Sequence, residues 1–195
     1  AGIVLEVGER VRNVAPGDHV IACTSMFCGA CPQCVQGWPH LCTDRGACRR
    51  GEGEAPRLSR GSELIHPYAD LAGFAEAMLL HSRAVVKIDK DIPLDRAALV
   101  GCAVTTGVGA ALNSAQVTPG STVAVFGAGG VGISVIQGAR IAGARQIIAI
   151  DLNDAKLATA LKFGATDTIN PANADPVKTV KKMTRGGADF AFEVV

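Results

Sequence analysis

Four cysteines, Cys28, Cys31, Cys34 and Cys42, stand in the pattern C-x2-C-x2-C-x7-C within the stretch CGACPQCVQGWPHLC. Thiolates are strong metal ligands. Those of Cys28, Cys31 and Cys34 reach one ion only if the chain wraps around it, and Gly29, Pro32 and Gly37 permit the wrapping. Four thiolates at tetrahedral corners form a closed site, suited to a structural Zn²⁺ with no position left for substrate. Two other chemistries share part of this pattern. A disulfide staple would suit a secreted chain, whereas the rest of this sequence reads as an intracellular α/β protein. An iron–sulfur cluster would suit C-x2-C-x2-C, but the ferredoxin run places its fourth Cys after three residues and before Pro. Here the gap is seven and Thr43 follows Cys42.

A second constellation is built from glycine. Thr122-Val123-Ala124-Val125-Phe126 reads as a buried strand and leads into Gly127-Ala128-Gly129-Gly130-Val131-Gly132, the G-x-G-x-x-G spacing. The spacing alone is weak evidence. Here it follows a strand, opens a helical stretch and precedes a second apolar strand ending at Asp151, which is the full dinucleotide context. Gly127 serves the tight turn, Gly129 the close approach of a pyrophosphate and Gly132 the packing of helix on strand. The helix would present free N–H groups and its positive end to phosphates. Asp151 would accept hydrogen bonds from the ribose hydroxyls. A carboxylate there would repel the 2′-phosphate of NADP, and Leu152, Asn153 and Asp154 supply no offsetting cation, so NAD is expected.

These groups need elements to hold them. Residues 2–22 read as short strands interrupted by the Pro16-Gly17-Asp18 turn, with Ile3, Leu5 and Val7 alternating. Residues 43–67 are charged and glycine-rich, an exposed excursion. Its Arg45, Arg49, Arg50, Arg57 and Arg60 read as a solvated surface rather than a phosphate patch. Residues 70–89 return to strands, over 74–80 and 84–88. After Pro93 a helical stretch begins, continuing as a small-residue helix over 102–115. From Ser121 the alternation is strand 122–126, helix 130–142, strand 146–150, helix 154–163, strand 167–169, helix 176–185 and strand 189–195. That alternation predicts a parallel, doubly wound sheet.

Composition narrows the rest. Apolar residues make up 48% and aromatics 4%, so Val, Ile, Leu and Ala must fill the core. A net charge of +1 gives no electrostatic case for nucleic acid or an anionic membrane. No uninterrupted apolar run of about 18 residues is seen, so no bilayer span is expected. No basic segment followed by an apolar one marks a signal peptide at the start, although Ala1 itself looks internal. Seven cysteines, four at metal spacing, argue for a reducing compartment, and the expected localisation is cytoplasmic.

The four-Cys lobe, the segment AGIVLEVGERVRNVAPGDHVIA and the segment GCAVTTGVGAA resemble the zinc-dependent medium-chain alcohol dehydrogenases, without a long gap from Ala1 to Val195. The resemblance implies a partial GroES-like, β-rich catalytic domain over 1–104, with a structural zinc lobe at 23–45. A partial doubly wound Rossmann domain would follow over 105–195. It implies that Cys102 is one ligand of a catalytic zinc, and that Thr106 and Val131 pack near the nicotinamide. Lys156 would reach the adenosine ribose. The family's other two catalytic zinc ligands and its proton relay would fall before Ala1, and two further sheet strands after Val195. The chain would then be an internal piece of a longer enzyme, inactive alone. That parent, a homodimer or homotetramer, would oxidise a small alcohol to an aldehyde or ketone with NAD. The excursion before Phe74 leans toward the class I/III branch, which includes glutathione-linked formaldehyde dehydrogenases. A non-catalytic, zinc-stapled nucleotide-binding module is the alternative, and the zinc-free quinone reductases a more distant one. Cys23 and Cys48 have no expected metal role.

Overall fold

The computed structural model describes residues 1–49, 51, 53–55, 57–68 and 71–195. Arg50 of the basic run, and residue 70 at the head of the expected 70–89 strands, lie outside the described residues. The chain divides into two compact units, Ala1–Gly101 and Cys102–Val195.

In the first unit, β1 (Gly2–Ile3), β2 (His19–Ala22) and β5 (Val85–Ile88) form an antiparallel sheet in the order β1-β2-β5, with Gly2 opposite Val20 and Ala22 opposite Val85. The Pro16-Gly17-Asp18 turn sets this register. Gly17 takes φ +85°, a left-handed conformation that favours glycine. Asp18 is buried, accepts a hydrogen bond from the Ala15 N–H at 2.9 Å and pairs with Lys87 Nζ at 2.7 Å. The turn is thereby tied to β5. Leu5 and Val7 are exposed and outside any strand, which corrects the longer strand reading.

Two further expectations change. Inside the polar excursion lies a hairpin, β3 (Leu58–Arg60) and β4 (Glu63–Ile65), closed by an Arg60–Glu63 ion pair at 2.8 Å and by Gly61 at φ +62°. The segment 74–80, expected as a strand, is not one: it pairs with no ladder among the described residues, and Phe74 and Leu79 are exposed. Apolar content alone does not make a strand, because only a neighbouring strand supplies its hydrogen bonds.

Helix α2 (Leu94–Leu99) is followed by a π-helical turn at Val100–Val104, helix α3 (Thr105–Gly109) and a second π-helical turn at Ala110–Ser114. Together Leu94–Ser114 spans 21 residues with a mean hydropathy of 1.4 over its most apolar window. By length and composition this helix could cross a membrane, which corrects the expectation that no segment has that character. Composition explains the difference: Ala, Val, Leu and Cys raise the mean hydropathy although polar residues and glycines interrupt the run.

The second unit carries β6 (Thr122–Phe126), β7 (Gln146–Ile150), β8 (Asp167–Ile169) and β9 (Phe190–Glu193) in one parallel sheet, ordered β8-β7-β6-β9. Helices α4 (Gly130–Ile141), α5 (Asp154–Phe163) and α6 (Pro176–Thr184) connect the strands. Val123, Val125, Ile147 and Ala149 pack with Val135, Ile136 and Ala139 of α4 on one face. Ala124, Ile148 and Ile150 pack with Ile169 and Val180 on the other. Burial on both faces is why β6 and β7 read as continuous apolar runs. The caps mark the helix limits. Asn153 accepts from the N–H groups of Ala155 and Lys156 at the start of α5, and Gly164 at φ +117° ends it. Asp175 caps α6 ahead of Pro176. The sheet and its helices thus form the doubly wound arrangement expected from the alternation.

Candidate functional site

The metal lobe folds as two tight knuckles. Helix α1 (Pro32–Val35) begins directly after Cys31, and a 3₁₀ turn at Pro39–Leu41 delivers Cys42. Gly29 and Gly37, at φ +75° and +86°, make the reversals between ligands. The four Sγ atoms lie within 4.8 Å of one another, with Cys28–Cys34 at 4.0 Å and Cys31–Cys42 at 3.9 Å. A tetrahedron with Zn–S bonds of about 2.3 Å has edges of about 3.8 Å, so the four thiols fit one zinc ion. Cys23 and Cys48 are not members of this group.

Backbone N–H groups converge on the sulfurs. Cys28 N donates to Cys42 Sγ at 3.3 Å, and Cys31 N and Ala30 N donate to Cys28 Sγ at 3.2 and 3.4 Å. Such donors favour thiolate over thiol. The N–H groups of Cys34 and Thr43 draw Cys31 down to about 5, whereas burial pushes Cys34 up to about 12. Contact with Cys31, Cys42 and Cys28 raises Cys34 further. The sulfurs crowd together, and once one is anionic its neighbour resists ionising unless a cation joins them. Burial likewise pushes the Cys48 thiol up.

The glycine loop joins β6 to α4. Gly127 takes φ +98°. A Cβ on Gly132 would lie 1.8 Å from the Gly127 carbonyl oxygen, so the backbone admits only glycine there. A Cβ on Gly129 would meet nothing within 4 Å, leaving open space beside the loop. The α4 N-terminus has no side-chain cap and no acidic residue in its first turn. Its N–H groups and positive dipole end are therefore available to an anion.

Asp151 closes this cradle. Its Oδ2 accepts from the Ala128 N–H at 2.9 Å and its Oδ1 from the Asn153 N–H at 2.9 Å, and Lys156 Nζ lies 3.7 Å from Oδ2. Burial pushes the Asp151 carboxyl up, but the two N–H donors and Lys156 outweigh it and hold the group below the ordinary range. The expectation that no cation offsets Asp151 is true of the next three residues only, since one helical turn brings Lys156 back to it. The bond from Ala128, a residue with no functional side chain, is not legible in the sequence.

Cys102 lies in the π-helical turn and Thr106 in α3, and both are exposed. Their helix is held against the glycine loop's helix. A Cβ on Gly107 would fall 2.5 Å from the Val131 carbonyl oxygen, and one on Gly130 3.6 Å from the Ala103 Cβ. Segments distant in sequence are thus brought together, with Val131 half-buried between loop and core. Cys102 itself belongs to no converging group of three or more ligand side chains among the described residues. His19 is half-buried in β2, and its Nδ1 has no partner among the described residues. Among the described residues the basic run forms no single patch: Arg45 donates to the His40 carbonyl and Arg60 pairs with Glu63, while Arg49 and Arg57 line a cavity of about 240 Å³ with Glu54, His66 and His81.

Residues 1–90 match the alcohol dehydrogenase GroES-like domain, and residues 130–195 match the zinc-binding dehydrogenase domain. The chain is 44% identical to alcohol dehydrogenase 6 of Rattus norvegicus, over 99% of this chain and 52% of that protein. It is 45% identical to S-(hydroxymethyl)glutathione dehydrogenase of Saccharomyces cerevisiae, again over 99% and 52%. Among solved structures, an alcohol dehydrogenase zinc-binding domain protein from Burkholderia ambifaria superposes with a TM-score of 0.88 at 36% identity, covering 100% of this chain and 54% of the other. The chain therefore spans about half the length of the relatives it matches.

Proposed function

We infer function from one premise: the chain belongs to the zinc-containing, medium-chain alcohol dehydrogenase family. Zinc and a nicotinamide dinucleotide come with that membership. The full-length protein oxidises an alcohol to an aldehyde or ketone by hydride transfer to NAD. When bound, a catalytic zinc polarises the alcohol oxygen and the nicotinamide accepts hydride.

The residues of this chain divide the remaining work. Cys28, Cys31, Cys34 and Cys42 hold a structural zinc and fix the lobe. Gly127, Gly129, Gly130 and Gly132 let the pyrophosphate lie on the backbone at the α4 N-terminus. Val131 and Thr106 pack beside the nicotinamide. Asp151 accepts from the ribose 2′- and 3′-hydroxyls, and Lys156 approaches the same sugar. Cys102 supplies one thiolate to the catalytic zinc.

The observation that supports this reading is the Asp151 carboxylate bonded to the Ala128 N–H, because it holds a hydrogen-bond acceptor beside the glycine loop. The choice of NAD over NADP rests on the same carboxylate, which a 2′-phosphate would have to approach. The test uses the full-length protein and follows NADH absorbance with ethanol, a longer primary alcohol and the formaldehyde–glutathione adduct. Turnover that disappears with Cys102→Ser supports the reading, and turnover indifferent to that change overturns it. The chain of 195 residues alone is expected to bind dinucleotide weakly and to turn over none of these substrates.

A further inference from the structure

Arg83 sits in the 3₁₀ turn Ser82–Ala84, just before β5. Its backbone N–H donates to His81 Nδ1 at 3.1 Å, which fixes the turn. From there the side chain reaches back to the metal lobe. A Cβ on Gly29 would lie 2.7 Å from the guanidinium carbon and 2.9 Å from each terminal nitrogen. Nη1 donates to the Phe27 carbonyl at 3.5 Å, and the guanidinium stands 5.9 Å from the centre of the Phe27 ring. Phe27 and Gly29 flank Cys28. The cation therefore lies on the knuckle that carries Cys28 and Cys31, and no carboxylate pairs with it among the described residues.

That placement has an electrostatic consequence. Four thiolates around one divalent ion leave a centre with two net negative charges. The backbone N–H donors on the sulfurs offset part of this, but they are dipoles and carry no net charge. Arg83 is a full positive charge on the Cys28–Cys31 knuckle, as Arg45, bonded to the His40 carbonyl, is on the stretch that delivers Cys42. Gly29 makes room for Arg83, since any side chain there would displace the guanidinium.

We propose that Arg83 is a counter-charge of the metal-filled lobe, a positioning residue that strengthens zinc binding by holding a cation over the Cys28–Cys31 knuckle. The proposal rests on the zinc reading of the lobe. Outer-shell partners of metal ligands change affinity by roughly 10–100-fold when removed. Arg83 is exposed and screened, which places it near the lower end, at about tenfold.

The test compares the zinc-loaded chain with its Arg83→Met and Arg83→Lys variants. Zinc release to a chromophoric chelator is followed at about 0.05 M and about 1 M salt, where the screening length falls to ~3 Å. Arg83→Met is expected to lose about tenfold in zinc affinity at low salt and much less at high salt. Arg83→Lys should stay within about threefold of the unmodified chain. A filler role for the side chain would give the same loss at both salt concentrations, and that result overturns the proposal. Equal affinity for the unmodified chain and Arg83→Met also overturns it. An unmodified chain that holds no zinc overturns the metal reading itself, and is recognised before any variant is compared.

Discussion

Asp151 Oδ2 accepts a hydrogen bond from the Ala128 backbone N–H at 2.9 Å, joining the end of β7 to the middle of the glycine loop. The bond does two things. It holds the loop closed over β6, and it aims a carboxylate across the opening where α4 begins. Asn153 and Lys156 hold the same carboxylate from the other side, at 2.9 and 3.7 Å. One acidic side chain thus ties the shape of the glycine loop to the end of β7 and the start of α5.

Asp151→Gly combined with Asn153→Arg is expected to reverse the preference from NAD toward NADP, with a change of at least tenfold in the ratio of dissociation constants. The substitution removes a like charge from the 2′-phosphate and adds a planar cation. It also releases Lys156 from its ion pair. Fluorescence titration with NADH and NADPH reads the ratio. Equal affinity of the unmodified chain for both nucleotides would contradict the role given to Asp151.

Local signals make the dinucleotide unit legible. β6, the glycine loop, α4 and β7 are each specified within their own residues, and caps such as Asn153 and Gly164 are read within one turn. The thiol cluster is legible for the same reason, since its ligands are neighbours in sequence. What escapes depends on distant partners. Segment 74–80 is apolar enough for a strand but finds no ladder among the described residues, whereas β3 and β4 form in a polar stretch because Arg60, Gly61 and Glu63 close a turn. Neither Ala128 nor Arg83 carries a signal, because their roles come from contacts with Asp151 and with the Gly29 knuckle. The π-helical turn at Cys102 is equally hidden, and such turns often mark functional positions.

Cys31→Ser is expected to take the zinc content of the chain from one ion to none and to loosen the lobe around Met26, Cys48 and Ala84, which pack with the ligands. Metal binding in small structural sites can supply on the order of 10 kcal/mol, so the loss should exceed that of an ordinary surface change. Metal analysis with thermal melting, with and without a chelator, gives the answer. Iron with sulfide in the unmodified chain would replace the zinc reading with a cluster.

The junction of β6 with β9 should respond to acid. Asp189 Oδ2 accepts from Thr122 N at 2.8 Å and Thr122 Oγ1 at 2.7 Å, and the Thr122 N–H holds the Asp189 carboxyl below its ordinary range. A carboxyl lowered on folding contributes stability that is present above its unfolded value, near 4, and is lost as pH falls through the lower folded value. Asp189→Asn should therefore reduce the melting midpoint at pH 7, and the gap between variant and parent should close as the pH falls below 4. A constant gap across that range would assign the effect to packing.

Two glycines of one loop should fail in different ways. A Cβ on Gly132 would sit 1.8 Å from the Gly127 oxygen, so Gly132→Ala forces the loop away from α4. Overpacking of that kind costs typically 1–3 kcal/mol, and the cost should appear without any ligand present. Gly129 has φ −80°, and a methyl added there would meet nothing within 4 Å, so Gly129→Ala strains neither backbone nor neighbours. Its stability should stay within about 0.5 kcal/mol of the parent, the range of substitutions that touch nothing. The methyl would instead occupy the open space where a pyrophosphate approaches the backbone, and NADH binding should weaken at least tenfold. Chemical denaturation and NADH titration of the two variants separate these effects. Tight NADH binding by Gly129→Ala would mean that the phosphates do not lie against this loop.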